Sequence, residues 1–281
     1  MTHCRTSHLV TSLTLLLAIG AGCGPKLGEL HSNTGLQGIA VREGALEGTW
    51  AQRTIFATMV TLPLVGQKES GGGSTRLVKR TWNEATRRYD EQFIRCSNDV
   101  VETEGTRTII REETLAKILP AHYGGTAEHE AGAYLSDDLI DVWGVRDMPD
   151  MRTTPLPTSD NYADSPQRDW VWDEDEDGNP GVTVLMRGAL SANLYVIKRN
   201  IYAFDGTVIS EDRIQGLVRQ QLSESNALES TVSWLEREGA TDPHPDPLQS
   251  WFDMVKLPDG AGCNEVRAAD ADGRLSRTRP F

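Results

Sequence analysis

From Gly44 to Leu64 the large apolar side chains Trp50, Ile55, Phe56, Met59, Val60 and Leu62 stand among Thr and Ala. That β-branched and aromatic run predicts a long strand. Pro63 and Ser70-Gly-Gly-Gly-Ser74 then predict its end in a flexible turn. Three further strands are expected at Thr75–Trp82, Tyr89–Val101 and Thr106–Arg111. In the first, Leu77 alternates with Arg76, Lys79 and Arg80; in the second, Tyr89, Glu91 and Phe93 oppose Asp90, Gln92, Ile94 and Cys96. The intervening segments Asn83–Thr86 and Glu102–Gly105 are short, as antiparallel hairpins require. Charges at alternate positions predict that one face of these strands is solvated. Glu112–Leu119 switches to helical spacing, with Leu115, Ile118 and Leu119 on one face, and Pro120 ends it.

Residues 121–180 break the pattern. Pro149, Pro155, Pro157 and Pro166 interrupt them, and only Tyr134–Trp143 reads as regular, an amphipathic turn or two of helix carrying Leu135, Leu139 and Val142. An irregular insertion of that length is functional or poorly ordered. Asp137, Asp138 and Asp141 read as its solvated helix face. Strand signals return at Val182–Met186, Asn193–Phe204, Arg213–Leu222 and Ser250–Leu257, with Asp205-Gly206 as a hairpin turn. Thr231–Arg237 fits a short helix, and Asp242-Pro-His-Pro-Asp-Pro247 a stiff extended linker. The fold class is therefore mainly β: an antiparallel barrel of about eight strands, or a two-sheet sandwich, with a loop-rich insertion and one or two short helices.

The first residues have a different character. Arg5 precedes an apolar run from Leu9 to Ile19, which has the length of a signal-peptide core and is short for a membrane span. It ends in Ile19-Gly-Ala-Gly-Cys23-Gly-Pro, and small residues directly before a cysteine resemble the bacterial lipobox, with Gly20 where Leu is usual. The resemblance implies cleavage before Cys23, lipidation of its thiol, and an envelope protein held on a membrane, the outer one facing periplasm or cell surface. Domain boundaries follow: signal peptide 1–22, flexible tether 23–43, a single β-rich domain 44–267, and a polar tail 268–281. The chain has 28 basic and 41 acidic residues in 281, a formal charge of −13. Losing residues 1–22 removes only Arg5, leaving 27 against 41, or −14. Such a chain repels phosphate backbones, which argues against nucleic acid as a partner. Export permits disulfides. With Cys4 in the signal and Cys23 lipidated, Cys96 and Cys263 remain and are expected to pair, two buried thiols being the alternative.

The most specific chemistry lies in Asp173-Glu-Asp-Glu-Asp-Gly178. Carboxylates at every second position followed by Gly resemble the first half of a calcium loop, in which positions 1, 3 and 5 converge on one ion. The resemblance makes Asp173, Asp175, Asp177 and Asn179 the metal candidates and calcium the cofactor. Val184 stands at position 12, where an EF-hand needs a bidentate Glu, and Pro180-Gly181 lead into a strand rather than a helix. The alternative is a solvated acidic turn. His122 and His129 lack the spacing of a metal site and read as exposed loop residues. Gly48-Thr-Trp50 resembles the Gly-x-Trp signature of lipocalins, which implies a lipocalin-like barrel with a cavity; Trp50, Phe93 and Tyr195 are then candidate ligand contacts, or simply core. No nucleophile elbow, catalytic triad, metal triad or phosphate loop is present in the sequence, so the chain is read as a non-enzyme. The expected function is a non-catalytic, lipid-anchored envelope protein that binds a small apolar ligand or serves a structural role. The alternative is a calcium-stiffened surface module that contacts protein or polysaccharide partners.

Overall fold

A computed structural model describes residues 34–62, 66–103, 105–128, 130–236 and 238–281. The signal, the lipobox and Cys23 lie outside these residues, as does His129. The strands are β1 (Gly48–Leu62), β2 (Gly66–Asn83), β3 (Arg88–Asn98), β4 (Val101–Thr103), β5 (Thr106–Ile109), β6 (Ala121–Ala127), β7 (Ala133–Ser136), β8 (Leu139–Trp143), β9 (Val182–Gly188), β10 (Ala192–Ser210), β11 (Arg213–Ser230), β12 (Glu238–Pro243) and β13 (Trp251–Lys256). Three short helices accompany them: α1 (Glu112–Lys117), α2 (Gln167–Trp170) and α3 (Cys263–Ala271). All thirteen strands belong to one sheet. Eight of them, taken in the order β1, β2, β3, β6, β7, β10, β11 and β13, form a closed circuit of antiparallel pairs in which β13 returns to β1. The mainly β, antiparallel class is as expected, and the circuit makes it a barrel. Strands β9, β5 and β4 extend from β10 as a flap, β8 lies beside β10, and β12 bridges β1 and β11.

Alternation along each strand sorts side chains into an inner and an outer core. Trp50, Val78, Tyr89, Phe93, Tyr134, Tyr202, Phe204, Phe252 and Met254 fill the interior. Their neighbours Ala51, Leu77, Cys96 and Val255 point outward and meet Val266 and Ala269 of α3 and Leu275 beyond it. The Cys96–Cys263 disulfide joins β3 to the first residue of α3. It closes a loop of 167 residues, which corresponds to about 5 kcal/mol in the chain-entropy account.

Several expectations are corrected by packing. Ser70–Ser74 is not a turn but the middle of β2, paired residue for residue with Thr54–Thr58. A Cβ at Gly73 would meet Asp99 Oδ2 at 2.2 Å and Arg53 Nη2 at 2.8 Å, so a larger residue there would have to displace the ends of those side chains. Asp205-Gly206 is likewise mid-strand in β10, and a Cβ on Gly206 would strike the Phe252 ring at 2.6 Å and the Gln215 carbonyl at 2.8 Å. Tyr134–Trp143 forms two strands rather than a helical turn, and burial along β8 alternates from Leu139 to Trp143. The inward position of Asp141 hides that period in the sequence, and this residue is buried rather than on a solvated face. The described residues 231–236 form a 3-10 turn at Ser233–Leu235 rather than a helix, and the first two residues of the proline-rich linker, Asp242 and Pro243, close β12. The tail from Ala268 begins in the last turn of α3, which ends at Ala271, and is held by Asp270, bound by Arg53 and Arg277, and by buried Leu275; most of its other residues are exposed. The end of the expected tether is docked as well: Ile39 donates its N–H to the Val208 carbonyl, and Val41 is buried in the inner core.

Candidate functional site

The charged face of β2 and β3 is the barrel's interior, not its solvated side. Arg76 and Arg80 alternate with Val78 on the inner face of β2, while Lys79 is exposed. Glu91, Phe93 and Arg95 do the same on β3. At one end of the interior Arg80 donates to Glu91 Oε2 at 3.0 Å and lies over the rings of Trp50 and Tyr134. Tyr134 donates its hydroxyl to Glu91 Oε1 at 2.7 Å. The pair is fully buried. Burial and the nearby Glu91 carboxylate hold the Tyr123 and Tyr134 phenols well above the ordinary tyrosine range.

At the other end the barrel is hollow. A cavity of about 380 Å³ opens between the glycine-rich half of the β1–β2 hairpin, the β4–β5 flap, β9, β10 and β11. One face of β10 runs through it as Leu194, Val196, Lys198 and Asn200. Lys198, Arg76 and Arg95 line its inner end with the carboxylate of Asp141. Asp141 accepts hydrogen bonds from Arg95, from Trp143 Nε1 at 3.0 Å and from Tyr202 at 3.5 Å. Arg76 donates to the Tyr202 hydroxyl at 2.5 Å and lies over Phe93, Tyr202 and Phe56, with its Cζ 4.4 Å from the Phe93 centroid. Lys198 Nζ sits 5.3 Å from the Trp143 centroid. Burial, and then the charges of Arg76 and Arg95, push the Lys198 ammonium down to about 8. Burial and the neighbouring Arg76 likewise push the Arg95 guanidinium below its ordinary value.

The residues expected to touch a ligand are placed elsewhere. Trp50 is enclosed in the inner core and donates its indole N–H to the Leu46 carbonyl at 2.9 Å. Phe93 is also fully enclosed and serves as the platform under Arg76. Tyr195 alternates with Leu194 and Val196 along β10, which puts it on the other face from the cavity. The cationic lining was not anticipated because Arg and Lys on a strand read as solvent-facing. The available signal was the arginines sharing strand parity with Val78 on β2 and with Phe93 on β3.

The acidic loop forms on the outside. Asp173, Asp175 and Asp177 bring carboxylate oxygens within 4.8 Å of one another and could hold a metal ion. Gly178 takes a φ of +88°, the turn expected of it. The loop also satisfies much of its own chemistry: Asp173 accepts the N–H groups of Asp177 and Gly178, and Asp177 accepts the Thr183 hydroxyl. Asn179 turns its amide nitrogen toward Asp177 Oδ1 at 3.0 Å. Asp175 accepts from Thr114 and from the Thr183 N–H through Oδ2, whereas its Oδ1 is buried with no hydrogen-bond partner. Glu174 turns to Arg146 and Glu176 to Lys117, away from the cluster. His122 is exposed and lies near Gln92.

No family model matches this sequence, and no curated protein does. Among solved structures, that of DynF from the dynemicin biosynthesis pathway of Micromonospora chersina is similar over 80% of this chain and 91% of its own, at 9% identity and a TM-score of 0.36. Likeness at that level assigns neither family nor activity.

Proposed function

We propose that the protein is a binding protein whose barrel carries a small, mainly apolar ligand in the cavity between the β1–β2 hairpin and β10. The supporting observation is the cavity itself: about 380 Å³, within the range that small-molecule sites occupy, and walled by Trp143, Val184, Leu194 and Val196. The small-residue run before Cys23 supports attachment of this carrier to an envelope membrane through a lipid anchor. Among the described residues no helix is long and apolar enough to cross a membrane. The test of the cavity is titration with the neutral fluorescent probe N-phenyl-1-naphthylamine. Saturable binding at one site per chain is expected, abolished by Val196→Trp in a variant that melts like the parent. Absence of saturable binding by the parent protein would refute the reading.

A second reading rests on a separate observation. The partnerless Asp175 Oδ1 within an acidic triad supports a cation at the loop, and calcium is the ion we propose. Without a bidentate glutamate the affinity should be weak, on the order of 10⁻⁴ to 10⁻³ M. Calcium should raise the melting temperature beyond what sodium does at equal ionic strength, and Asp175→Asn with Asp177→Asn should remove the difference. Equal effects of the two salts on the parent would dismiss the ion.

A further inference from the structure

The cavity's charges do not balance. Three cations, Arg76, Arg95 and Lys198, enter its lining with Asp141, and Asp141 is bound by Arg95. Asp99, at the rim, is bound by Arg53. Among the described residues no carboxylate lies within salt-bridge distance of Arg76 or Lys198; their contacts are aromatic rings and the Tyr202 hydroxyl. The Nε atoms of Arg76 and Arg95 are buried without hydrogen-bond partners. Two positive charges in excess thus face the cavity, Arg76 buried and Lys198 half-buried, in a chain of formal charge −13. Buried charge is costly unless it is paired. Cation–π contacts offset part of that cost but leave the charge unneutralised.

The lining is also ordered by depth. Tyr202 and Phe204 of β10 lie in the packed interior, Asn200, bonded by the Ser223 hydroxyl, and then Lys198 come next, and Val196 and Leu194 run toward β9 and the flap. At about 3.3 Å per strand residue, the apolar track from Lys198 to Leu194 is ~13 Å long. Val184 and Ile110 extend it on the flap side.

We infer that the ligand is a carboxylate with an unbranched apolar tail, bound head inward, its carboxylate between Lys198 and Arg76 and its tail along Val196, Leu194 and Val184. This rests on the reading of the cavity as a binding site and names the chemical class it takes. The ligand's negative charge meets the excess of positive charge, and its length matches the apolar track. Arg95, already committed to Asp141, keeps the head from sliding deeper and supplies field rather than a direct bond.

The probes are decanoate and decanol, which share a tail and differ in the charge of the head. Each competes against bound N-phenyl-1-naphthylamine at pH 7. Decanoate is expected to displace the probe at a concentration about tenfold or more below that needed for decanol, the strength of hydrogen bonds to a charged group. Lys198→Met should erase that preference while leaving decanol unchanged, and Lys198→Arg should retain it. Equal displacement by decanoate and decanol, or a preference that survives Lys198→Met, overturns the carboxylate assignment and leaves the apolar cavity standing. Failure of both compounds and of the probe to bind overturns the cavity reading and this one together.

Discussion

The two ends of the barrel use the same device with opposite outcomes. At the packed end Arg80 meets Glu91 one to one, the Tyr134 hydroxyl supplies a further bond, and the rings of Trp50 and Tyr134 lie against the guanidinium. At the hollow end Arg76 rests on rings of the same kind, yet the carboxylate nearby belongs to Arg95 and an additional lysine faces open volume. A buried arginine therefore says little by itself about function. Charge parity and packing distinguish a structural network from a site prepared for something that the chain does not contain.

The contrast can be broken most forcefully at the packed end. Glu91→Gln keeps size and leaves Arg80 without its counter-charge, so urea unfolding should show a loss of about 3–5 kcal/mol, the usual result of removing one partner from a buried pair. A loss below about 1 kcal/mol would mean that water reaches this pair. Gly206→Ala, in the same packed half, drives a methyl group into the Phe252 ring and the Gln215 carbonyl. It should cost about 1–3 kcal/mol by overpacking, visible as a lower melting temperature.

Lys198→Met at the hollow end should change stability least at neutral pH, with no loss and a small gain, because it removes a charge that lacks a counter-ion. The pH profile sharpens the point. The Lys198 value falls from 10.5 unfolded to about 8 folded, so between those values the unfolded chain binds more protons and stability rises with pH. Arg95, which faces Lys198 and is itself pushed down to about 9 by burial and the Arg76 charge, acts in the same direction at the upper end of this range. The raised Tyr123 and Tyr134 phenols act in reverse once unfolded tyrosine ionises near pH 10. The expected signature is a climb in melting temperature from pH 8 toward pH 10 in the parent and a flatter curve in Lys198→Met. Identical curves would remove Lys198 from the account.

The sequence reading reached the β class, the strand-like character of β1, β3, β10, β11 and β13, and the single disulfide, because alternation and cysteine number are local or countable properties. It failed where tertiary neighbours override local signals. Gly71–Gly73 and Gly206 look like turns, yet they lie mid-strand, and the missing side chains of Gly73 and Gly206 make room for Asp99, Arg53 and Phe252. Asp141 looks like solvent-facing polarity, yet it is the anchor of Arg95. The cavity was missed for a related reason. Trp50 and Phe93 are the conspicuous aromatics and they are used up in packing, whereas the residues that shape the hollow end are glycines, serines and cations of unremarkable composition. The acidic loop was legible because its spacing is confined to six residues.

The closure of the ring has a consequence for how the chain is made. β1 finds β2 immediately, across the hairpin that follows it, but its other edge awaits β13, so that Trp50 meets Lys256 only after nearly everything between them has been synthesised. Contacts this distant in sequence form slowly. Throughout that interval the newborn chain presents a 15-residue strand with one row of backbone donors and acceptors uncovered, the arrangement that recruits strands from other chains. The oldest part of the domain is thus the last to be sealed, by its own C-terminal strand.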